Sequence, residues 1–312
     1  MTRKHPLPPR FASASFTVAD AKAAQLSPSR LRASDLSRPS RGVRVPRGAR
    51  QSLAQRAAPY LRLSPSAVLS HGTALRLLGL PLPRVIGDDQ RLHLATPGGR
   101  AQIRRRGVAG HRATLDGGDI QQCEGLAVTS HSRTFLDIAA TDGVLPDELV
   151  VLGDALVNEH RRYAHAREPK ISLEELKAYV EAARGRRGAA KARAALALVR
   201  VGADSPMETR LRLAVQRAGL PDPEVDYPVI DELGQPVFVE LAFPEYRLAV
   251  QYDGGHHLTP EQQRFDALRA QRLAGAGWRQ VIITKLDMGR GAEIAVVRIA
   301  EALRRLGWED LR

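Results

Sequence analysis

The sequence predicts a mixed fold, part α+β and part α/β, made of at least two modules, and three observations carry that expectation. Apolar residues recur at helical spacing near residues 51–80 and 291–306 but alternate like strands near 237–253. Proline- and glycine-rich breaks at 37–48 and a charged, alanine-rich stretch at 166–204 divide those patterns into segments. Positive charge is also concentrated: of the net +13, residues 1–50 hold eleven Lys/Arg against two Asp, a local net of +9. A chain of 312 residues accommodates about two domains.

The composition, 43% hydrophobic and 26% charged, is that of a chain able to bury a core, and at 4% aromatic that core must be mostly Leu, Val and Ala. A single cysteine, Cys123, excludes an intramolecular disulfide and a cysteine-based zinc cluster. It points to a reducing, cytoplasmic setting. No apolar run reaches about 18 residues, so no membrane partner is expected. The basic stretch Met1–Arg10 leads into no apolar signal core.

Residues 1–15 read as a disordered basic arm. Thr17 caps a helix over 17–25, Ser27-Pro28-Ser29 makes a turn, and 29–36 reads as a second helix bearing Arg30 and Arg32. A break at Arg38–Arg41 leads to a short basic strand, Gly42-Val43-Arg44-Val45. Helix, turn, basic helix and strand over 16–50 is the order of a winged helix-turn-helix. The second helix would then lie in the major groove of double-stranded DNA, and Arg30, Arg32, Arg38, Arg41 and Arg44 would meet bases or phosphates. Two more basic clusters follow, Arg100–Arg112 and Arg184–Arg193. Clustered positive charge favours polyanions through counterion release.

Residues 51–165 read as a middle α/β domain of helices, strands (LHLATP, GVAGHR) and a strand-to-helix passage at GLAVTSHSRTFLDIAAT. His71, His93, His111 and His131 are scattered through it at spacings that match no metal motif, so they read as structural histidines. Residues 166–204 read as a helical connector. The segments TVADAKAAQLSPSRLRASDL, RGVRVP, APYLRLSPSAVLSHGTALRLLGLPLP, LHLATP, GVAGHR and SRTFLDIA resemble AbiEi-type antitoxins and transcriptional regulators of actinobacteria over about residues 15–160. The resemblance implies promoter binding and, for some members, a cognate toxin as partner.

Residues 205–312 read as α-β-β-α-β-α: a helix over 205–218, strands over 237–243 and 247–253, a helix begun by Thr259-Pro260, a strand over 279–285 and a final helix over 291–306. If the hairpin turns at Glu245–Tyr246, positions that sum to about 491 lie opposite, which puts Glu240 beside Gln251 with Asp253 on the same face. Oxygen donors on neighbouring strands suit Mg2+, which can activate water for phosphodiester cleavage. Ser205-Pro206-Met207-Glu208, Glu240-Leu241-Ala242-Phe243-Pro244-Glu245, Gln251-Tyr252-Asp253-Gly254 with His257, and Gly277-Trp278 together resemble the very-short-patch-repair-like endonucleases of the PD-(D/E)XK superfamily, a restriction-endonuclease-like fold. The resemblance implies a site of Glu208, Glu240, Gln251, Asp253 and His257, with Mg2+ on Glu240 and Asp253. Three departures count against full activity. Glu240 stands where the pattern has Asp, Gln251 where it has Glu, and Asp253 where it has Lys. His257 is left as the general acid or base, its ordinary pKa near neutrality. Glu208 also fits a helix-capping box with Ser205. The expected function is DNA binding, of a regulator or antitoxin, beside a nuclease-type domain of weakened or lost catalysis. The alternatives are an active Mg2+-dependent endonuclease and an antitoxin that acts by binding protein.

Overall fold

The computed structural model describes residues 6–98, 101–159, 168–254 and 260–309. The chain divides into two compact units, Met1–Leu145 with Tyr179–Ala192, and Pro146–Ala178 with Arg193–Arg312.

The first unit opens with helix α1 (Pro9–Ala12), strand β1 (Phe16–Thr17) and helix α2 (Val18–Ala23). The expected arm is therefore partly ordered: Phe11 of α1 is buried and stacks on Phe16 with centroids 4.5 Å apart, and such a pair supplies enough apolar area to hold a short segment down. Helix α2 starts as the sequence predicts, with a capping box between Thr17 and Asp20. The expected second helix over 29–36 does not form. A three-residue 3-10 turn, Arg30–Arg32, stands in its place. Buried Arg30 grips Asp35 through two hydrogen bonds of 2.9 Å, and this bidentate pair five residues apart closes the segment into a turn. Strands β2 (Leu36–Ser37) and β3 (Val43–Pro46) complete a sheet in the order β1-β3-β2, so the expected basic strand is present.

Helix α3 (Leu53–Leu63), strand β4 (Val68–Leu69), helices α4 (His71–Leu77) and α5 (Arg84–Gly87), strands β5 (Leu92–Pro97), β6 (Val108–Ala113), β7 (Ile120–Cys123) and β8 (Leu126–Thr129), and helix α6 (His131–Ala139) follow. The five strands lie in the order β6-β5-β4-β8-β7, with β5/β6 and β4/β8 parallel. Val43, Tyr60, Leu69, Leu92, Leu94 and Val128 belong to the core beneath. The apolar alternation of β5 and the helical spacing of α3 turn those side chains inward.

The second unit takes in α7 (Pro146–Val157), parts of α8 (Leu173–Ala182) and α9 (Ala189–Leu198), α10 (Pro206–Arg217), strands β9 (Glu224–Ile230), β10 (Pro236–Phe243) and β11 (Leu248–Asp253), α11 (Pro260–Gly275), β12 (Arg279–Thr284) and α12 (Gly289–Arg305). It takes in α7, ahead of the expected boundary at 205, and α7 carries half of a buried ion pair: Arg212 donates to Asp154 at 2.8 Å and each side chain is 1% exposed. Strand β9 adds one element to the predicted α-β-β-α-β-α order. The sheet runs β12-β11-β10-β9, with the first pair parallel across α11 and the rest antiparallel. One apolar cluster joins Leu211, Val215, Phe243 and Leu303, and a second joins Val237, Val239 and Leu273. Helices α10 and α12 thus pack with the first, and α11 with the second. No helix among the described residues is long and apolar enough to cross a membrane.

Candidate functional site

Three sets of chemistry-bearing side chains stand out. In the second unit a cleft of about 590 Å³ is lined by Glu208, Glu240, Gln251, Asp253, Asp266 and Arg269, among others. The hairpin register is the predicted one, since Leu241 pairs Val250 and Phe243 pairs Leu248. Glu240 itself is passed over by the ladders on both sides, between the Val239–Tyr227 and Leu241–Val225 pairs and beyond Leu241–Val250. Opposite it Asp226 takes a left-handed backbone, φ 55, and the amide of Tyr252 donates to Glu240 Oε2 at 2.7 Å. The carboxylate has taken a backbone donor that a regular ladder would use. Glu208 is buried and accepts the amide of Asp204 at 3.0 Å, while Ser205 Oγ accepts the amide of Glu208, which is half of the expected capping box.

Gln251 is the odd member. It is 6% exposed, it lines the cleft, and neither atom of its amide has a hydrogen-bond partner. A buried unpaired amide costs about 1–3 kcal/mol. Asp253, two residues on, is exposed at the same cleft. Four of the five residues expected at this site are thus brought together. The fifth, His257, lies outside the described residues, as does Thr259.

The arginines divide into two groups. Arg30, expected to meet bases or phosphates, is buried, and its guanidinium is held by Asp35 at 2.9 Å. Arg44 donates to the carbonyls of Leu31 and Val43, both at 2.9 Å, and Arg38 donates to that of Arg32 at 3.1 Å. These guanidinium groups tie turns together. Arg32, Arg38 and Arg41 are exposed. Arg41 joins Arg104, Arg105 and Arg106 around a groove of about 630 Å³, and Arg105 donates to the Arg41 carbonyl at 2.8 Å. The first and second basic clusters, far apart in sequence, therefore meet. In the third cluster Arg184 pairs with Glu181 at 2.6 Å and Arg187 with Asp142 at 2.7 Å on an exposed surface.

Sequence reasoning missed the third set. His71 opens α4, His93 lies on β5 and His111 on β6, and one ring nitrogen from each falls within 4.8 Å of the others. Parallel pairing sets Ala95 against His111, which leaves His93 and His111 as diagonal neighbours on one face. His93 Nδ1 and His111 Nε2 share a hydrogen bond of 3.0 Å, and the rings of His71 and His111 stack at 3.7 Å. Burial and the neighbouring imidazoles push His71 down to about 2 and His111 down to about 4. Asp89 Oδ2 holds His93 Nε2 at 3.2 Å, and the hydrogen bonds of Arg91 keep that carboxylate well below its ordinary range. Asp137, pushed up to about 6 by burial, sets Oδ2 3.9 Å from His71 Nδ1. Local spacing gives no sign of this cluster, because the contacts come from strand pairing. His131 is not one of the group.

No known family profile matches the chain. Uncharacterized protein Rv2248 of Mycobacterium tuberculosis (strain ATCC 25618 / H37Rv) is 30% identical over 243 residues, which cover 77% of this chain and 82% of the relative. Uncharacterized protein MT2308 of strain CDC 1551 / Oshkosh matches to the same extent. A crystal structure of the RV2827C protein from Mycobacterium tuberculosis aligns with a TM-score of 0.39 and 16% identity over 64% of this chain and 76% of that one, a likeness too weak to bear on the fold. At the identity and coverage of the first two relatives, the chain belongs to the family of these mycobacterial proteins.

Proposed function

We propose that the protein binds double-stranded DNA through its first unit, as a regulator or antitoxin would, and that its second unit is a nuclease-type domain of weakened catalysis. The observation that carries the reading is the groove of Arg41, Arg104, Arg105 and Arg106. Among the described residues its lining holds four guanidinium groups and no carboxylate. Guanidinium forks match phosphate oxygens bidentately, and several of them in one groove release several counterions. This reading moves the contact away from buried Arg30 and from Arg38 and Arg44, whose guanidinium groups donate to turn carbonyls, and keeps the exposed Arg32 and Arg41 of the original set. The test is duplex binding by fluorescence anisotropy. Replacing Arg41, Arg104, Arg105 and Arg106 by Ala is expected to weaken binding at least tenfold, and unchanged affinity would overturn the assignment.

Weakened catalysis rests on charge. Glu240 and Asp253 are the hard oxygen donors that would hold Mg2+, and the buried, unpartnered Gln251 amide can offer a neutral oxygen beside them. The donor types therefore fit, with one negative charge fewer than a carboxylate at Gln251 would give. A bound Mg2+ would supply water activation and neutralise charge on the phosphate. Among the described residues these carboxylates do not gather as closely as the three histidines do.

A second reading, an active endonuclease, is favoured by the same unpartnered amide, which a ligand in the cleft would satisfy. Plasmid nicking with Mg2+ or Mn2+ separates the two. Cleavage by the parent that Asp253→Ala abolishes selects the second reading, and no cleavage selects the first.

A further inference from the structure

We propose that His71, His93 and His111 form a binding site for one divalent transition-metal ion of the zinc class, held by three imidazoles with a fourth position left for water. The argument starts from ligand type. Neutral imidazole nitrogen is the donor that zinc, copper and nickel prefer, and it is a poor one for Mg2+. Three histidines with an open position is a known form of functional zinc site.

The geometry is close to what an ion needs. Two nitrogens bonded to one tetrahedral zinc at about 2.0–2.1 Å stand roughly 3.3 Å apart. His93 Nδ1 and His111 Nε2 are 3.0 Å apart, and one ring nitrogen from each of the three histidines lies within 4.8 Å of the others. The ion would take the place of the proton that this pair otherwise shares. The stacked rings of His71 and His111 must splay for their lone pairs to converge, a turn about the soft χ2 torsion. His111 is half-buried, which leaves a way in.

Three features around the cluster are hard to explain as packing alone. His71 holds φ 46 at the first position of α4, a left-handed conformation that costs a non-glycine residue about 1–2 kcal/mol and that persists where surroundings fix a functional geometry. Asp89 grips the far nitrogen of His93, the carboxylate–histidine arrangement that orients a ligand and raises its basicity. Arg133 holds Oδ1 of Asp137 at 2.8 Å, while Oδ2 is left buried beside His71 with no hydrogen-bond partner of its own. Glycine next to two of the ligands lets the elements close. A Cβ on Gly72 would meet Ile86 at 2.7 Å, and one on Gly110 would meet the Ile103 carbonyl oxygen at 2.2 Å.

The test is metal uptake by the full chain after chelator dialysis. One equivalent of Zn2+ by elemental analysis is expected, and Co2+ in its place should give the visible absorption of a low-coordinate nitrogen site. His111→Gln should abolish both with an unchanged circular dichroism spectrum. Asp89→Asn should weaken binding roughly 10–100-fold. His131→Gln should leave uptake unchanged, since that ring is not one of the three. No stoichiometric uptake by the parent overturns the proposal, and so does full uptake by His111→Gln. Should that variant fail to fold, parent affinity in Asp89→Asn would overturn it equally.

Discussion

The histidine cluster of the first unit and the acidic cleft of the second are both built on sheet faces, yet they treat their polar atoms in opposite ways. The histidines answer one another, with His93 shared between His111 and Asp89. In the cleft, Glu208 and Glu240 each hold a backbone amide, and buried Gln251 has no partner at all. The difference teaches where to look for a ligand. A nitrogen cluster with internal hydrogen bonds can persist empty and exchange a proton for a metal ion. An orphaned amide among carboxylates is a group whose partner arrives from outside, or a remnant of a more acidic site. The Arg212–Asp154 pair is the structural reference, since its charges are buried and Asp154 is further bonded by Thr209 at 2.8 Å and by the Arg200 amide at 2.9 Å.

That reference gives the largest expected effect. Arg212→Met leaves Asp154 buried without its cation and should destabilise the protein by about 3–5 kcal/mol in denaturant unfolding. A loss under about 1 kcal/mol would mean that the carboxylate finds other compensation, and the contrast with Gln251 would weaken.

Acidification probes the histidines. His71 and His111 bind protons near their ordinary value when unfolded but only near pH 2 and 4 when folded. Depressed values make the unfolded state bind more protons, so stability is present above about pH 6.5 and is lost as pH falls. Asp89, Asp137, Arg76, Arg91 and Arg133 are the charged groups acting on the cluster. Asp137, raised to about 6, opposes one histidine, because it gains a proton on folding between about pH 6 and 4. Metal-free protein should therefore lose about 1.4 kcal/mol per pH unit in that window from this cluster. His111→Gln should flatten the curve by that amount, and an unchanged curve would place the ring in water.

The cleft predicts a smaller change of opposite sign. Gln251→Leu removes an unsatisfied amide of similar volume and should raise stability by about 1 kcal/mol in the ligand-free protein. A loss of that size would show that the amide is paired in solution.

The legible parts of the sequence were those decided by near neighbours. Strand alternation and the Pro244-Glu245-Tyr246 turn fix the Glu240–Gln251 hairpin, and the Thr17–Asp20 spacing fixes the start of α2. Strand β9 escaped notice because Glu224–Ile230 carries Asp226 and Pro228 and stands at the sheet edge, where proline is tolerated. The helix expected over 29–36 gives way to a turn, because helical propensity does not register Asp35 reaching back to Arg30. The histidines and the Arg41 groove are assembled by contacts distant in sequence, between parallel strands and between loops, and no local pattern encodes them.

If the arginine groove binds the phosphate backbone, affinity for duplex DNA must depend on salt through those four side chains. Each phosphate neutralised contributes roughly 0.9 to the slope of log affinity against log salt on duplex DNA. Replacing Arg41, Arg104, Arg105 and Arg106 by Ala should flatten the parent's slope by roughly 3 to 4. Parallel slopes for parent and variant, at any affinity, would contradict it.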